Sequence, residues 1–342
     1  MTDVLTDASE LRMRLERHLG SALNRDVTVS ALRRYPSGFS WITYGCTIDA
    51  PGIEDCTDLI LRLGPPNGLF APYRAGPQHN VLKLLEGSTV PAPRSFLWSD
   101  DPAILGAPYF LSERSPGDAP IPWGDDPSMT GERLESLGAQ FADALGDLHA
   151  VDWRGSGLAA HAAGITCENA AHRQLDLWQA DYGRWALREH PMMHKLFVWL
   201  RRNAPVAPRL SIIHGDYRLG NFLEVDSKIT AILDWELVHI GDPHEDLAWM
   251  CLPQYRGGTP LMSKLVSRDE LYRRHEARTG HAVNDASMFY YTLFSLMKLA
   301  ATHMAGVYAF EKRGFHDMRM PAMGTQIAPV LRQVEKVLGE AA

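Results

Sequence analysis

The sequence predicts an α+β protein with a small, β-rich N-terminal lobe and a larger, mainly helical C-terminal lobe. Two observations predict this fold class. Short segments rich in Val, Ile, Leu and aromatic residues fill the first third of the chain, whereas longer segments with helical spacing of apolar residues follow. At 342 residues, of which 45% are hydrophobic, the chain also exceeds what a single hydrophobic core usually accommodates. We expect one lobe over residues 1–115 and another over residues 116–342.

The N-terminal lobe should begin with an amphipathic helix capped by Asp7 or Ser9. Strands are then predicted in VTVSALRRY, WITYGCTID and DLILRLG, a helix in PQHNVLKLLEG, and two more strands in RSFLWS and APYFLSER. The predicted order over residues 27–113 is therefore three strands, one helix and two strands. The Pro- and Gly-rich segment SPGDAPIPWGDDP should carry the chain from one lobe to the other.

The C-terminal lobe should open with a long helix in GERLESLGAQFADALGDLHAVDW, whose apolar residues line one face. Further helices are predicted in AAHRQLDLWQADYGRWAL and PMMHKLFVWLRRN. Two polar motifs follow on short strands. The last third is helical again, including the apolar segment MFYYTLFSLMKLAATHMAGVYAF.

Composition excludes several classes of protein. A net charge of -7 argues mildly against a nucleic-acid-binding protein. The four cysteines lack the CxxC spacing of a zinc site or redox motif, which indicates reduced thiols. The N-terminus has no apolar signal segment, and no run approaches the roughly 20 apolar residues of a membrane span. We therefore expect a cytoplasmic protein with a small-molecule partner and without nucleic-acid or membrane partners.

Two motifs carry the chemistry, IIHGDYRLGNFL and ITAILDWELVHIGDPHEDLAWM. Asp216 and Asn221 are five residues apart, and Asp234 follows thirteen residues later. Phosphoryl transfer needs one carboxylate to orient the attacking hydroxyl, and an amide oxygen with a second carboxylate to hold Mg²⁺. Arg218, two residues after Asp216, is placed to neutralise charge on the transferred group. The alternative is that these are ordinary polar loop residues between strands.

The segments HGDYRLGN, ILDWE and GDPHEDLAW resemble those of the aminoglycoside phosphotransferase and choline kinase family, which has the protein-kinase-like fold. Through HGD-x-R-x-x-N and LDWE the chain resembles, within that family, the kinase-like domains associated with acyl-CoA dehydrogenases. The resemblance implies that Asp216 is the catalytic base, that Asn221 and Asp234 bind Mg²⁺, and that ATP or GTP is the phosphoryl donor. The family's acceptors include aminoglycosides, macrolides, choline, sugars and hydroxyacyl thioesters, so the acceptor stays open.

The segment YPSGFSWITYG is predicted to form the loop over the nucleotide phosphates, with donors from Ser37, Gly38 and Ser40. It lacks the GxGxxG pattern, and a simple hairpin turn is the alternative. Arg62 lies on the third strand, where kinases place a lysine, and its guanidinium is expected to contact the α- and β-phosphates. An exposed cation at a strand edge is the alternative for Arg62.

The helix glutamate that usually pairs with such a cation is missing. Gln78 occupies that position and can hydrogen-bond Arg62 without forming an ion pair, while Glu86 is the other candidate partner. Between the lobes, in LSERSPG, backbone groups of Glu113, Arg114 and Ser115 are predicted to pair with the purine edge.

Four residues near the motifs have supporting roles or none. Asp246 is similar to the family residue that braces the catalytic loop. Glu236 stands where it can contact the metal, a water or the substrate, or remain solvated. His149 is predicted to be packed at a helix end, and Trp249 to belong to the core near the cleft.

Two other classes of function remain open. A pseudokinase-like module would bind nucleotide or ligand without turnover, and the pairing of Arg62 with Gln78 keeps that hypothesis alive. A protein kinase is disfavoured, because about ten residues separate Asp234 from HEDLAW and leave little room for a peptide-binding activation loop.

Overall fold

The N-terminal lobe has the predicted order of elements. The computed structural model describes residues 5, 7–36, 38, 40–49, 58–121, 124 and 126–339, and it confirms the two-lobe α+β architecture. The elements are α1 (Ala8–Leu23), β1 (Thr28–Tyr35), β2 (Ile42–Asp49), β3 (Asp58–Leu63), α2 (Gly76–Leu85), β4 (Ser95–Ser99), α3 (Pro102–Leu105) and β5 (Tyr109–Glu113). The short helix α3 has no counterpart in the prediction, because four residues cannot show a helical period.

Asp7 caps α1, since its Oδ1 accepts hydrogen bonds from the backbone N–H groups of Ser9 at 3.0 Å and Glu10 at 3.1 Å. The helix is amphipathic because apolar residues recur every four positions, and these form its buried face: Leu11, Leu15 and Leu19. This face packs on the sheet and forms a small core with the leucines of β3.

The five-stranded sheet is antiparallel with the order β1-β2-β3-β5-β4. Alternate residues of a strand face opposite sides of a sheet. Leu59, Leu61 and Leu63 of β3 therefore point into the core under α1. Arg62 lies on the other face, paired in register with Thr43 and Phe110. That face looks into the cleft between the lobes.

The C-terminal lobe is mainly helical, as predicted. Its helices are α4 (Gly131–Ala150), α5 (Ala170–Trp185), α6 (Pro191–Arg202), α7 (His244–Met250), α8 (Arg268–Thr279), α9 (Asp285–Arg313) and α10 (Arg319–Gly339). Its strands are β6 (Ser211–Ile213), β7 (Phe222–Val225), β8 (Lys228–Ile232) and β9 (His239–Gly241), with β6 paired to β9 and β7 paired to β8. The two polar motifs lie where these short strands begin and end.

A second, larger core connects the lobes. It includes Val81, Leu82 and Leu85 of α2 together with Phe110 of β5 and Trp41, which precedes β2, and it continues through the C-terminal lobe. The helix α2 thus belongs to the core that it shares with the C-terminal lobe and not to the small core under α1. The lobe boundary at residue 115 stays a prediction.

The helix α9 is long and apolar enough to cross a membrane by length and composition alone, contrary to the expectation that no such segment exists. However, 72% of its most apolar window is buried inside the protein. A central helix of a folded core has this pattern, because its apolar side chains contact other helices.

Candidate active site

A tight turn after β6 directs Asp216 into the cleft. Gly215 has φ +83°, and a Cβ atom there would lie 2.7 Å from Leu237. Glycine is therefore required by both conformation and space. The turn is held from behind by Asp246, whose two carboxylate oxygens accept from His214 N at 2.7 Å and Gly215 N at 2.8 Å. The bracing position expected of Asp246 is what the structure shows.

The carboxylate of Asp216 is fixed by three side chains. Its Oδ1 accepts from Trp249 Nε1 at 2.8 Å and Arg218 Nε at 2.9 Å, and its Oδ2 accepts from Asn221 Nδ2 at 2.7 Å. The Arg218 guanidinium also lies over the ring of Tyr255, 5.6 Å from its centroid. A carboxylate held in this way has little rotational freedom, as a base that orients a hydroxyl requires.

The two predicted metal ligands lie beside Asp216. Asn221 Nδ2 also donates to the backbone oxygen of Asp216 at 2.8 Å. Both of these side-chain hydrogen bonds use the amide nitrogen, so the amide oxygen Oδ1 is left for a ligand. Asp234 has φ +62°, two residues after the end of β8, and 41% of its side chain is exposed. His214 links the two motifs, because its Nε2 donates to Leu233 O at 2.8 Å.

These donors fit Mg²⁺. The ion prefers oxygen ligands and is commonly held by one or two carboxylates together with substrate phosphates and water. Among the described residues there is no cluster of three or more His, Cys, Asp or Glu that could hold a metal alone. A nucleotide-borne Mg²⁺ does not need one, since Asn221 and Asp234 would supply two protein oxygens.

Arg62 pairs with the predicted metal ligand. Its Nη1 donates to Asp234 Oδ1 at 2.6 Å, a contact that spans the cleft. Partial burial alone would raise the pKa of Asp234, but the charge of Arg62 and its hydrogen bond keep that pKa below its usual value. The cleft therefore holds a carboxylate that is ionised and partnered.

Neither of the predicted partners of Arg62 is bonded to it. Gln78 is buried, and its Oε1 has no hydrogen-bond partner in the described part of the chain; the same is true of Arg62 Nε. Glu86, which follows the end of α2, instead pairs with Lys83 of that helix at 2.9 Å. The carboxylate that α2 lacks is replaced by Asp234 from the opposite lobe.

Glu236 makes a second contact across the cleft, because it accepts a hydrogen bond from the hydroxyl of Ser40. Burial, with the charge of Asp234 nearby, raises the pKa of Glu236 to about 7. The Ser40 hydroxyl expected at the phosphates is thus bonded to Glu236. Gly38 has φ +133°, and its carbonyl accepts from Arg319 Nη2 at 2.8 Å. Ser37 lies outside the described residues.

The segment between the lobes corrects part of the purine prediction. The backbone N–H of Glu113 donates to Arg94 O at 2.9 Å, and that of Arg114 donates to Asp58 O at 3.1 Å. Both amides continue the pairing of the inner strand β5 with its two neighbours and are not free to bind a purine. Carbonyl groups of this segment and Ser115 remain the candidates.

Two buried side chains behind the turn at Gly215 and Asp216 have roles that the sequence did not predict. Lys298 of α9 donates to Gly215 O at 2.6 Å. His149 of α4, predicted to be packed, bonds Asp246 at 3.1 Å and His275 of α8 at 2.9 Å. The available signal for Lys298 was a lysine in the middle of the mainly apolar segment MFYYTLFSLMKLAATHMAGVYAF. Its partner, 83 residues earlier in the chain, has no such signal.

Comparisons with known proteins give a matching family model and several relatives. The family model described as "Phosphotransferase enzyme family" matches residues 31–279. Mouse acyl-CoA dehydrogenase family member 10 is 29% identical over 267 residues, which is 73% of this chain but only 24% of that protein. The chain thus spans about a quarter of that relative's length.

Two solved structures show the same fold. A putative aminoglycoside phosphotransferase from Ralstonia eutropha superposes with a TM-score of 0.71 at 20% identity, covering 96% of this chain and 98% of that one. A thermostable mutant of an aminoglycoside phosphotransferase, in a ternary complex with AMP-PNP and hygromycin B, has a TM-score of 0.55 at 15% identity, with 96% and 98% covered.

Proposed function

The chain belongs to the phosphotransferase enzyme family, and on that premise we propose that it transfers the γ-phosphoryl group of ATP or GTP to a hydroxyl of a small molecule. The observation that carries the proposal is the convergence of three side chains from two separate motifs. Asn221 bonds the Asp216 carboxylate at 2.7 Å, and Arg62 brings Asp234 into the same cleft through its 2.6 Å contact. One structural neighbour was solved with AMP-PNP and another with GDP, so the proposal includes both ATP and GTP as donors.

In the proposed reaction Asp216 orients the acceptor hydroxyl and takes its proton as the hydroxyl oxygen bonds to the γ-phosphorus. The bond between that phosphorus and the bridging oxygen breaks, and the nucleoside diphosphate leaves. Asn221 and Asp234 would hold Mg²⁺, which neutralises phosphate charge when bound. Arg218 stands beside Asp216 and offers a cation to the transferred group.

Arg62 must change partner when nucleotide binds. Its guanidinium pairs with Asp234 in the free protein, and phosphates would compete for the same donors. Because Arg62 lies on the central strand and pairs across the cleft, its side chain is placed to exchange Asp234 for a ligand phosphate. Ser40, in the loop predicted to cover the phosphates, reaches the same cleft from the N-terminal lobe through its hydrogen bond to Glu236.

The acceptor is proposed more broadly. The structural neighbours include a macrolide 2'-phosphotransferase and a gentamicin complex, so these acceptors stay candidates beside the choline that the resemblance implies. The likeness to acyl-CoA dehydrogenase family member 10 favours a hydroxyl on an acyl chain or its coenzyme A thioester as a second candidate. A module that binds nucleotide without turnover is the remaining alternative. The ion pair between Asp234 and Arg62 favours it, because that pair engages the carboxylate proposed to bind the metal.

A panel assay tests the proposal. The protein is incubated with γ-³²P-labelled ATP or GTP, Mg²⁺ and separate acceptors: an aminoglycoside, a macrolide, choline, hydroxyacyl-CoA compounds and a peptide mixture. We expect label on one alcohol class and none on peptides. Binding of nucleotide without transfer to any acceptor would support the binding module and contradict the phosphotransferase proposal.

A further inference from the structure

Lys298 is a buried cation that the proposed chemistry does not use. It lies in the middle of α9, within an apolar stretch, and only 1% of its surface is exposed. A lysine is almost never fully buried unless it is paired. Its burial therefore calls for partners that repay the lost hydration of the ammonium group.

The partners of Lys298 converge on its Nζ atom from separate elements. Nζ donates to Glu245 Oε1 of α7 at 2.9 Å and to Gly215 O of the catalytic loop at 2.6 Å. The faces of two indole rings complete its surroundings, Trp249 at 4.9 Å and Trp178 at 5.5 Å from their centroids. Glu245 is held in turn by His239 at 3.1 Å.

Two of these contacts lead directly to Asp216. The carbonyl of Gly215 belongs to the peptide group that joins it to Asp216, so Lys298 fixes the rotation of that peptide. The N–H of Gly215 is bonded to Asp246 at 2.8 Å, which holds the preceding peptide as well. Trp249, whose ring lies against Lys298, donates its indole N–H to Asp216 Oδ1 at 2.8 Å.

We propose that Lys298 is a positioning residue that holds the Gly215–Asp216 peptide and the Trp249 ring, and thereby orients the Asp216 carboxylate for phosphoryl transfer. The inference rests on the proposed function of Asp216. Its physical reason is that an ammonium group in a dry site cannot exchange a protein acceptor for water. Rotation of the Gly215 carbonyl away from Nζ would leave the buried cation without one of its two oxygen partners.

The test needs a variant that removes the hydrogen bond without leaving a lone buried charge. Lys298→Met alone strands the Glu245 carboxylate and endangers folding. The double variant Lys298→Met with Glu245→Gln removes both charges and the bond to Gly215 together. Leu296→Ala is the matched control, since Leu296 is buried on the same helix. Two residues along a helix correspond to about 200°, so Leu296 faces away from the loop.

Three readouts are compared: the melting temperature, amide hydrogen exchange at residues 214–216, and kcat with KM for nucleotide using the acceptor found by the panel. In the double variant we expect loop exchange to speed up about tenfold or more and kcat to fall roughly 10- to 100-fold, with nucleotide KM within about twofold. Leu296→Ala should lower the melting temperature and leave loop exchange and kcat near the original values.

Unchanged loop exchange and kcat in the double variant would overturn the proposal. So would equal losses in Leu296→Ala at a matched melting temperature, because the effect would then be general destabilisation. If the unaltered protein transfers phosphate to no acceptor, the proposed function fails, and the exchange measurement alone decides whether Lys298 holds the loop.

Discussion

At the scale of single residues, the pairing of Arg62 with Asp234 governs the electrostatics of the cleft. Each group is placed to meet part of a metal–nucleotide complex: the guanidinium the phosphates, the carboxylate the metal. In the free protein they satisfy one another at 2.6 Å. When Mg²⁺ and nucleotide bind together, Arg62 would pair with a phosphate and Asp234 with the metal, so both charges stay partnered. Either ligand alone would leave one of the two side chains without its partner and would therefore bind more weakly.

Asp234→Asn is predicted to weaken the affinity for the Mg²⁺–nucleotide complex. The amide keeps the shape of the side chain but loses the negative charge that a hard cation prefers. Calorimetric titration with nucleotide at several Mg²⁺ concentrations measures the effect. Asp226→Asn, an exposed aspartate in the β7–β8 turn, is the control. An unchanged affinity at low Mg²⁺ would remove Asp234 from the metal site.

Arg62→Ala is predicted to raise the KM for ATP more than the KM for the acceptor. The guanidinium is the cation on β3 that faces the cleft, and its loss removes donors for the phosphates. Steady-state kinetics with each substrate varied in turn gives both constants. Arg33→Ala, on the exposed edge strand β1, controls for loss of charge. Equal changes in both KM values would assign Arg62 a role in folding or surface charge.

The residues of the two motifs could be predicted from the sequence because their chemistry and spacing are local. Asp216 and Asn221 lie in one turn, and a hydrogen bond joins them. The partner of Arg62 could not be predicted, since it lies 172 residues away on the other lobe. Side-chain identity at Gln78 indicated only that the usual ion pair was absent.

At the scale of elements, three helices meet behind the catalytic loop through a chain of buried side chains. Asp246 of α7 accepts from His149 Nε2 of α4, so His149 Nδ1 is left to accept from His275 Nε2 of α8. His275 Nδ1 is buried and has no partner among the described residues. A proton added there would have neither water nor an acceptor.

His275 is therefore predicted to make stability depend on pH. Burial lowers the pKa of His275 to about 2, against about 6.5 in an unfolded chain. Between these values the unfolded state binds a proton that the folded state does not. The free energy of unfolding from this group is highest above pH 6.5 and falls as pH decreases, by up to about 1.4 kcal/mol per pH unit.

Chemical denaturation between pH 7 and pH 5 measures this slope. His275→Gln keeps a donor for His149 without the titrating ring, so its slope should be shallower than that of the unaltered protein. His161→Gln, at an exposed position, should keep the original slope. Identical slopes in His275→Gln and the unaltered protein would show that His275 is not the group responsible.

The helices and strands themselves were largely predictable, because periodicity is a property of adjacent residues. The long helix α4 and the strands β1 to β5 follow their apolar patterns. Contacts between elements do not, since His149 and His275 are 126 residues apart. The same limit applies to the burial of α9, which composition alone cannot distinguish from a membrane span.

At the scale of the whole molecule, the C-terminal helices add contacts between the lobes to the shared core and the contacts across the cleft. The ends of α9 and α10 that flank the turn between them contact the N-terminal lobe. Arg313 Nη1 donates to Gly68 O at 3.2 Å, and Arg319 Nη2 donates to Gly38 O at 2.8 Å. The C-terminal helices therefore help to place the loop that is predicted to cover the phosphates.

Arg319→Ala is predicted to weaken nucleotide binding about twofold to tenfold. The variant removes the hydrogen bond that Arg319 donates to the Gly38 carbonyl. Part of the nucleotide's binding free energy would then be needed to hold the loop around Gly38 in place. Calorimetric titration measures the change in Kd. Arg332→Ala removes an exposed cation from the same helix and should bind nucleotide normally. An unchanged or tighter Kd in Arg319→Ala would contradict a role for this contact.

The central claim, that Asp216 acts in the transfer step and not in nucleotide binding, is tested most directly by Asp216→Asn. The substitution keeps the shape of the side chain but removes the proton acceptor that the three hydrogen bonds hold in place. The measurement is kcat with the acceptor found by the panel, together with the Kd for nucleotide, with Asp226→Asn as control. We predict that kcat falls by about 10² to 10⁴ with little change in Kd. A near-normal kcat in Asp216→Asn would contradict the account.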